Sequence, residues 1–192
     1  MSASEEKAAG KEEKPAGKEE GKAAGNVFSA VLYVTAAVLL VLLDQYTKHL
    51  AALHLKNQSD IRIIPDVLHL TYLYPENRGI AFGLMQGGTA VFAVLSLILM
   101  AVILYVLFRI PGTSRYVPMK IICILLLSGA AGNLIDRVFR GYVIDFIYFC
   151  LIDFPVFNLA DVFVVSGGAL LIITGIFVYK EDSDYAFIFG KR

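Results

Sequence analysis

Two aspartates stand in strongly apolar surroundings: Asp145 within Val-Ile-Asp-Phe and Asp161 within Phe-Asn-Leu-Ala-Asp-Val-Phe. Brought together in a partly desolvated site, two such carboxyl groups cannot both ionise easily, so one keeps a proton while the other gives it up. The ionised member can take a proton from water, and the protonated member can donate to a carbonyl oxygen. That is the chemistry of an aspartic peptidase. Each residue also has a plainer reading. Asp145 fits a loop or a helix cap, and Asp161 fits a carboxylate placed in the first turn of a helix by the dipole. Asp136 and Asp153 are rivals on chemistry alone, although Asp153 precedes Phe154-Pro155, which reads as a turn.

Other chemistries find less to work with. There is no G-x-S-x-G nucleophile turn. His49, His54 and His69 form no H-E-x-x-H pair. The Walker and dinucleotide-binding glycine patterns are absent. No metal and no cofactor is expected, because two carboxyl groups suffice to activate water.

The elements that must position these residues lie in a membrane. The chain has 192 residues, 57% of them apolar, and a mean hydropathy of +0.67, values that go with membrane spans rather than a soluble core. Formal net charge is zero, which gives no reason to expect a nucleic-acid partner. Four apolar segments, at about 27–43, 89–108, 117–135 and 159–179, approach the roughly 20 residues a helix needs to cross the hydrocarbon. Backbone groups in lipid must bond internally, so these segments read as helices. Residues 1–26, rich in Lys, Glu, Ala and Gly, read as a disordered tail. Residues 181–192 read as a second, short tail. Cys123 and Cys150 are too few for a disulfide framework and read as structural thiols.

Arg109 and Arg115, with Lys120 near the start of the third segment, cluster where the second and third segments meet, which predicts a cytoplasmic loop there and both termini in the cytoplasm. The outward region 44–88 carries an alternation, Leu68, Leu70, Tyr72 and Tyr74, that predicts a strand, with Ile61–Ile64 as its partner. A small surface β region is expected over about 57–83.

Up-and-down topology brings the unusual polar residues to the same outer end: Asp44 and Gln45, Asn77 and Gly79, Asn133, Asp136 and Arg137, Asp145, and Asn158 and Asp161. Asn133 and Arg137 are four apart and share a helix face, as do Asn158 and Asp161 at a spacing of three. Asp44 and Lys48 are spaced to pair. Ser128, Gly129 and Gly132 are small enough to let another helix approach closely. Polar groups converging from separate chain segments at membrane depth point to a shared site. A transporter relay would spread its carboxylates through the membrane instead, and a non-catalytic lipid-binding protein would tolerate their loss.

The motifs resemble those of the lipoprotein signal peptidase (signal peptidase II) family. They are Leu-Asp-Gln-Tyr-Thr-Lys at 43–48, Glu-Asn-Arg-Gly-Ile-Ala-Phe-Gly at 76–83, Ser-Gly-Ala-Ala-Gly-Asn-Leu-Ile-Asp-Arg-Val at 128–138, Gly-Tyr-Val-Ile-Asp-Phe-Ile at 141–147 and Phe-Asn-Leu-Ala-Asp-Val-Phe-Val at 157–164. They occur in the family's order; Ser128 stands where the family often has Gly. The resemblance implies four transmembrane helices with a small extracytoplasmic β-sheet cradle after the first. It implies Asp145 and Asp161 as catalytic dyad. Asp44, Asn77, Gly79, Gly129, Asn133, Arg137 and Asn158 then match surrounding site positions, and Asp136 a structural one. The implied enzyme is a multi-pass peptidase of the bacterial plasma membrane, with its site near the outer interface. It cuts diacylglyceryl-modified prolipoproteins before the lipidated cysteine. Membrane lipids are the other expected partners, and a monomer is expected because no oligomer signal is present.

Overall fold

The structure, a computed structural model, describes residues 16–79 and 88–189. Residues 1–15 of the expected tail, residues 80–83 of the expected β region and residues 190–192 lie outside the described residues. The chain divides into two units, Met1–Leu32 and Tyr33–Arg192, and everything below concerns the second, apart from the start of the first helix.

Among the described residues, four helices are long and apolar enough to cross a membrane. They are α1 (Ala16–His54), α2 (Thr89–Arg109), α3 (Val117–Phe139) and α4 (Leu159–Phe177). α1 starts inside the segment read as a tail, where Ala, Lys and Glu are good helix formers. It also runs past the expected end at Leu43, because Asp44 and Lys48 pair across one turn. Charges that are partnered within the protein need not end a span.

α3 is the central helix. Half of its apolar window is buried, against 6% for α1 and α2. It packs on α4 and α2, and its small residues set how closely. A Cβ on Gly129 would lie 2.4 Å from the Ala160 carbonyl oxygen and 2.6 Å from Val164 Cγ2 on α4. Many large apolar side chains of α1, α2 and α4, such as Leu42, Ile98 and Ile172, are left exposed, as lipid-facing surfaces require. Gly129→Ala should therefore force α3 and α4 apart. A loss of about 1–3 kcal/mol is expected for such overpacking, visible as a lower melting temperature in detergent.

Among the described residues, the sheet has three antiparallel strands in the order β1 (Ile61–Ile64), β2 (Leu68–Leu70), β3 (Ile147–Phe149). Leu68, His69 and Leu70 stand opposite Phe149, Tyr148 and Ile147. Leu70 and Ile147 pack with Tyr72 and Tyr142 against a buried group of Ala51, Leu55, Ile144 and Phe146, which seats the sheet on the end of α1. The predicted second strand is shorter than its alternation implied. Beyond Leu70 the chain leaves regular pairing, yet the Thr71 and Leu73 amides still donate to the carbonyls of Phe146 and Asp145. At the far end of the bundle Arg115 pairs with Asp184 at 2.6 Å. There Arg109 also donates to the carbonyls of Phe187 and Ile188 in α5 (Ala186–Phe189), docking the final helix.

Candidate active site

Asp145 sits on a backbone held from both sides. The Leu73 amide donates to its carbonyl, the Val143 amide donates to the Asn77 carbonyl, and the Phe146 and Ile147 amides donate to the Phe157 carbonyl. The carboxyl group so placed is 3% exposed. Asn77 Nδ2 donates to one oxygen at 2.8 Å and Asn158 Nδ2 to the other at 2.6 Å. Asn77 is itself aimed by the Gly79 amide, which donates to its Oδ1 at 3.1 Å.

Asp161 lies in the first turn of α4. Asn158 is the N-cap: its side chain accepts from the Asp161 amide, while Asp161 Oδ2 accepts from the Asn158 amide at 3.1 Å. This reciprocal cap satisfies two amides that a helix start otherwise leaves unpaired. Asp161 therefore does stand in the first helical turn, where the plainer reading put it, and it closes the cap as well. Its other oxygen, however, is held by Asn133 Nδ2 on α3 at 2.8 Å. Asn158 Nδ2 also donates to Asn133 Oδ1 at 3.1 Å. The two carboxylates are thus tied together through the amides of Asn158 and Asn133.

Behind these amides is a buried polar cluster. Asp44, Lys48, Asp136 and Asn158 are each 0% exposed. Lys48 Nζ touches Asp44 at 2.9 Å, Asp136 at 3.0 Å and Asn133 Oδ1 at 2.9 Å. Asp44 also accepts from the Ala160 amide at 2.9 Å, adding a second clamp on the start of α4. Asp136 also accepts from Arg140 and from the Ile144 amide at 3.3 Å. Gln45 Nε2 donates to Asp44, Asp136 and the Gly132 carbonyl. Gly132 has to be small, since a Cβ there would lie 2.5 Å from Asp44 Oδ2.

Of the residues singled out in the sequence, Asp44, Asn77, Gly79, Asn133, Asp145, Asn158 and Asp161 join this one network. Gly129 lies a turn below it, at the contact with α4. Arg137 donates to the Asn133 carbonyl at 3.3 Å and stacks on Phe92; no bond from it to either carboxylate occurs among the described residues. Asp136 is taken up by Lys48 and Arg140. Asp153 turns outward, exposed, in a left-handed backbone conformation, accepting from the Tyr148 hydroxyl at 2.6 Å. Gln45, already among the polar residues expected to converge at this end, belongs to the network, and so do Lys48 and Arg140, to which sequence reasoning gave no site role. The signals available for Lys48 were its spacing from Asp44 and its place at the end of the 43–48 motif.

Burial is the main influence on Asp145. Loss of solvation, reinforced by nearby Asp161 and opposed by the Asn77 and Asn158 donors and by Lys48, lifts its carboxyl from the ordinary value of 3.8 to about 6. A raised carboxyl value means that the folded protein holds this proton more tightly than the unfolded chain does. Its stabilising contribution is complete below the ordinary value and is lost as pH rises through about 6. The Asp145→Asn variant escapes that loss. Relative to wild type it should gain about 2 kcal/mol between pH 4 and pH 7. Melting temperatures of the two proteins across that range test this.

Residues 36–177 match the family model described as Signal peptidase (SPase) II. The chain belongs to the signal peptidase II family. It is therefore a peptidase, and the family's activity is the removal of signal peptides from lipoproteins. Among similar proteins, the lipoprotein signal peptidase of Caldanaerobacter subterraneus subsp. tengcongensis is 42% identical over 139 residues, covering 72% of this chain and 91% of that protein. The lipoprotein signal peptidase of Clostridioides difficile is 43% identical over 154 residues, covering 79% and 99%. A solved structure described as a bacterial membrane enzyme determined by the in meso method superposes with a TM-score of 0.68 at 33% identity, covering 79% of this chain and 92% of that one. The signal peptidase II match takes in every residue of the network above and the whole of α2, α3 and α4. The four-helix architecture with its small sheet, expected from the motifs, is the one found.

Proposed function

We propose that this signal peptidase II family member is an aspartic endopeptidase in which Asp145 and Asp161 together activate the water that attacks the scissile carbonyl. The observation that carries the proposal is the Asn158 side chain, which binds Asp145 directly at 2.6 Å while capping the helix turn that presents Asp161. A single buried residue thus fixes both carboxyls. The ionised carboxyl takes a proton from water as the oxygen attacks. The protonated one donates to the carbonyl oxygen, and the proton taken from water then passes to the departing amine as the C–N bond breaks. A carboxyl lifted to about 6 can take and release a proton near neutral pH, as this role requires.

The substrate is a prolipoprotein carrying a diacylglyceryl group on its cysteine, cut on the amino side of that cysteine. The enzyme lies in the bacterial inner membrane with both termini in the cytoplasm, so the network faces the outer interface where such a precursor presents its lipidated cysteine. The gathering of the carboxylates at one end of the bundle favours this reading over a transport relay, which needs ionisable groups along the membrane depth. Purified protein in a lipid bilayer, given a diacylglyceryl-modified precursor, should release a product whose first residue is the lipidated cysteine. A precursor left intact, or cut elsewhere, would rule the reading out.

A further inference from the structure

We propose that Lys48 is a positioning residue of the reaction: it fixes which way round the Asn133 amide points, and through that amide how Asp161 is held. The inference rests on the assignment of Asp145 and Asp161 as the dyad. A primary amide has a donor end and an acceptor end of nearly equal shape. Asn133 sits where reversing them would be ruinous. Its Nδ2 donates to Asp161 at 2.8 Å. Its Oδ1 accepts from Lys48 Nζ at 2.9 Å and from Asn158 Nδ2 at 3.1 Å. Lysine has three donors and no acceptor, so it can only face the oxygen end.

All three donors of Lys48 are used, on Asp44, Asp136 and Asn133, and the side chain is fully buried. The ammonium group has no spare donor and no room to turn. The two aspartates that hold it come from α1 and α3, and Asp136 is held in turn by Arg140. Two cations therefore balance two anions, and the cluster is a rigid mount rather than a reactive group. Asn158 depends on the same orientation. Its Nδ2 must find an oxygen at Asn133 while it binds Asp145. Lys48 touches neither carboxyl of the dyad, yet of the three amides that do it sets the polarity of Asn133 directly and supports that of Asn158 through it.

Removing Lys48 alone strands Asp44 without its charge partner in a buried place, which can prevent folding. The informative variant is therefore the charge-balanced Asp44→Asn/Lys48→Met, which leaves the Asp136–Arg140 pair intact and keeps an acceptor for the Ala160 amide. Wild type, Asp145→Asn, this double variant and Asn133→Asp are compared on a diacylglyceryl-modified precursor, with melting temperature and the pH profile measured alongside. Cleavage by wild type and none by Asp145→Asn uphold the dyad itself. The double variant should then melt as a folded protein, with kcat lower by about 10- to 100-fold, the effect of one lost bond to a charged group. KM should stay unchanged, and the acid flank of the profile should move to higher pH. A purely structural Lys48 would lower the amount of folded enzyme without moving the flank.

Wild-type kcat with an unmoved profile in the folded double variant overturns the proposal for Lys48 and leaves the dyad standing. Asn133→Asp decides the matter if the double variant does not fold. It keeps an oxygen toward Lys48 but offers Asp161 no N–H, so a loss of at least about 10-fold is expected, and a wild-type rate would overturn the proposal. A wild type that fails to cleave overturns the dyad reading and this inference together.

Discussion

Asp161→Asn and Asp145→Asn are each expected to lower kcat for prolipoprotein cleavage by about 10²- to 10⁴-fold, the contribution of a well-placed acid–base group. The replacement is nearly isosteric, so the protein should still accumulate in the membrane. An amide can neither take the proton of water nor pass one to the carbonyl oxygen at these positions. It also places a donor NH2 against existing donors: Asn77 and Asn158 both point N–H groups at Asp145, and Asn133 points one at Asp161. The double variant should be little worse than either single one, because residues that act as one unit lose their joint effect with the first replacement. Single-turnover rates on one lipidated precursor, for all three variants, measure this. Losses that multiply would mean that the two carboxyls act independently.

The second large effect is expected at Asn158. Asn158→Ala removes a donor to Asp145, a donor to Asn133 and the acceptor for the Asp161 amide in one step. Loss of the helix cap should lower stability by about 1 kcal/mol. The fall in kcat should be larger than the stability loss accounts for, about 100-fold, since both carboxyls lose their common anchor. Asn158→Ser separates the two consequences. Serine is a good N-cap but is too short to bridge to Asp145, so it should recover the melting temperature without recovering the rate. Recovery of both would reduce Asn158 to a cap.

Much of this arrangement was readable in the sequence because the membrane simplifies the problem. Long apolar runs must be helices, and up-and-down topology then puts the ends carrying Asp44, Asn133 and Asn158 together. Local spacing put Asn158 and Asp161, three residues apart, on one helix face; the reciprocal cap they form was not read from it. Long-range contacts were less visible. β3 lies in an apolar run that continues from Ile147 into Leu151 and Ile152 without alternation, and it becomes a strand by pairing with β2, far away in sequence. The segment after Leu70 alternates well beyond the strand that forms, because its later amides are taken up by the backbone around Asp145.

Lys48 shows the same limit at the site. Its pairing with Asp44 follows from a spacing of four. Its full burial depends on Asp136 and Asn133 arriving from α3, which no local pattern contains. Arg137, with its charge and its place one turn from Asn133, was flagged by local spacing, but its contacts could not be read there. The structure uses it to hold the Asn133 carbonyl and to cover Phe92. Charged residues inside a membrane bundle are thus easy to flag from sequence, but their partners are set by packing.

A proton held between Asp145 and Asp161 has a direct kinetic signature. The pH dependence of kcat/KM for a diacylglyceryl-modified precursor should be bell-shaped, one flank for each proton exchanged by the pair, with one flank centred near the value of about 6 to which burial lifts Asp145. A rate that stays level from pH 4 to pH 9 would contradict the account.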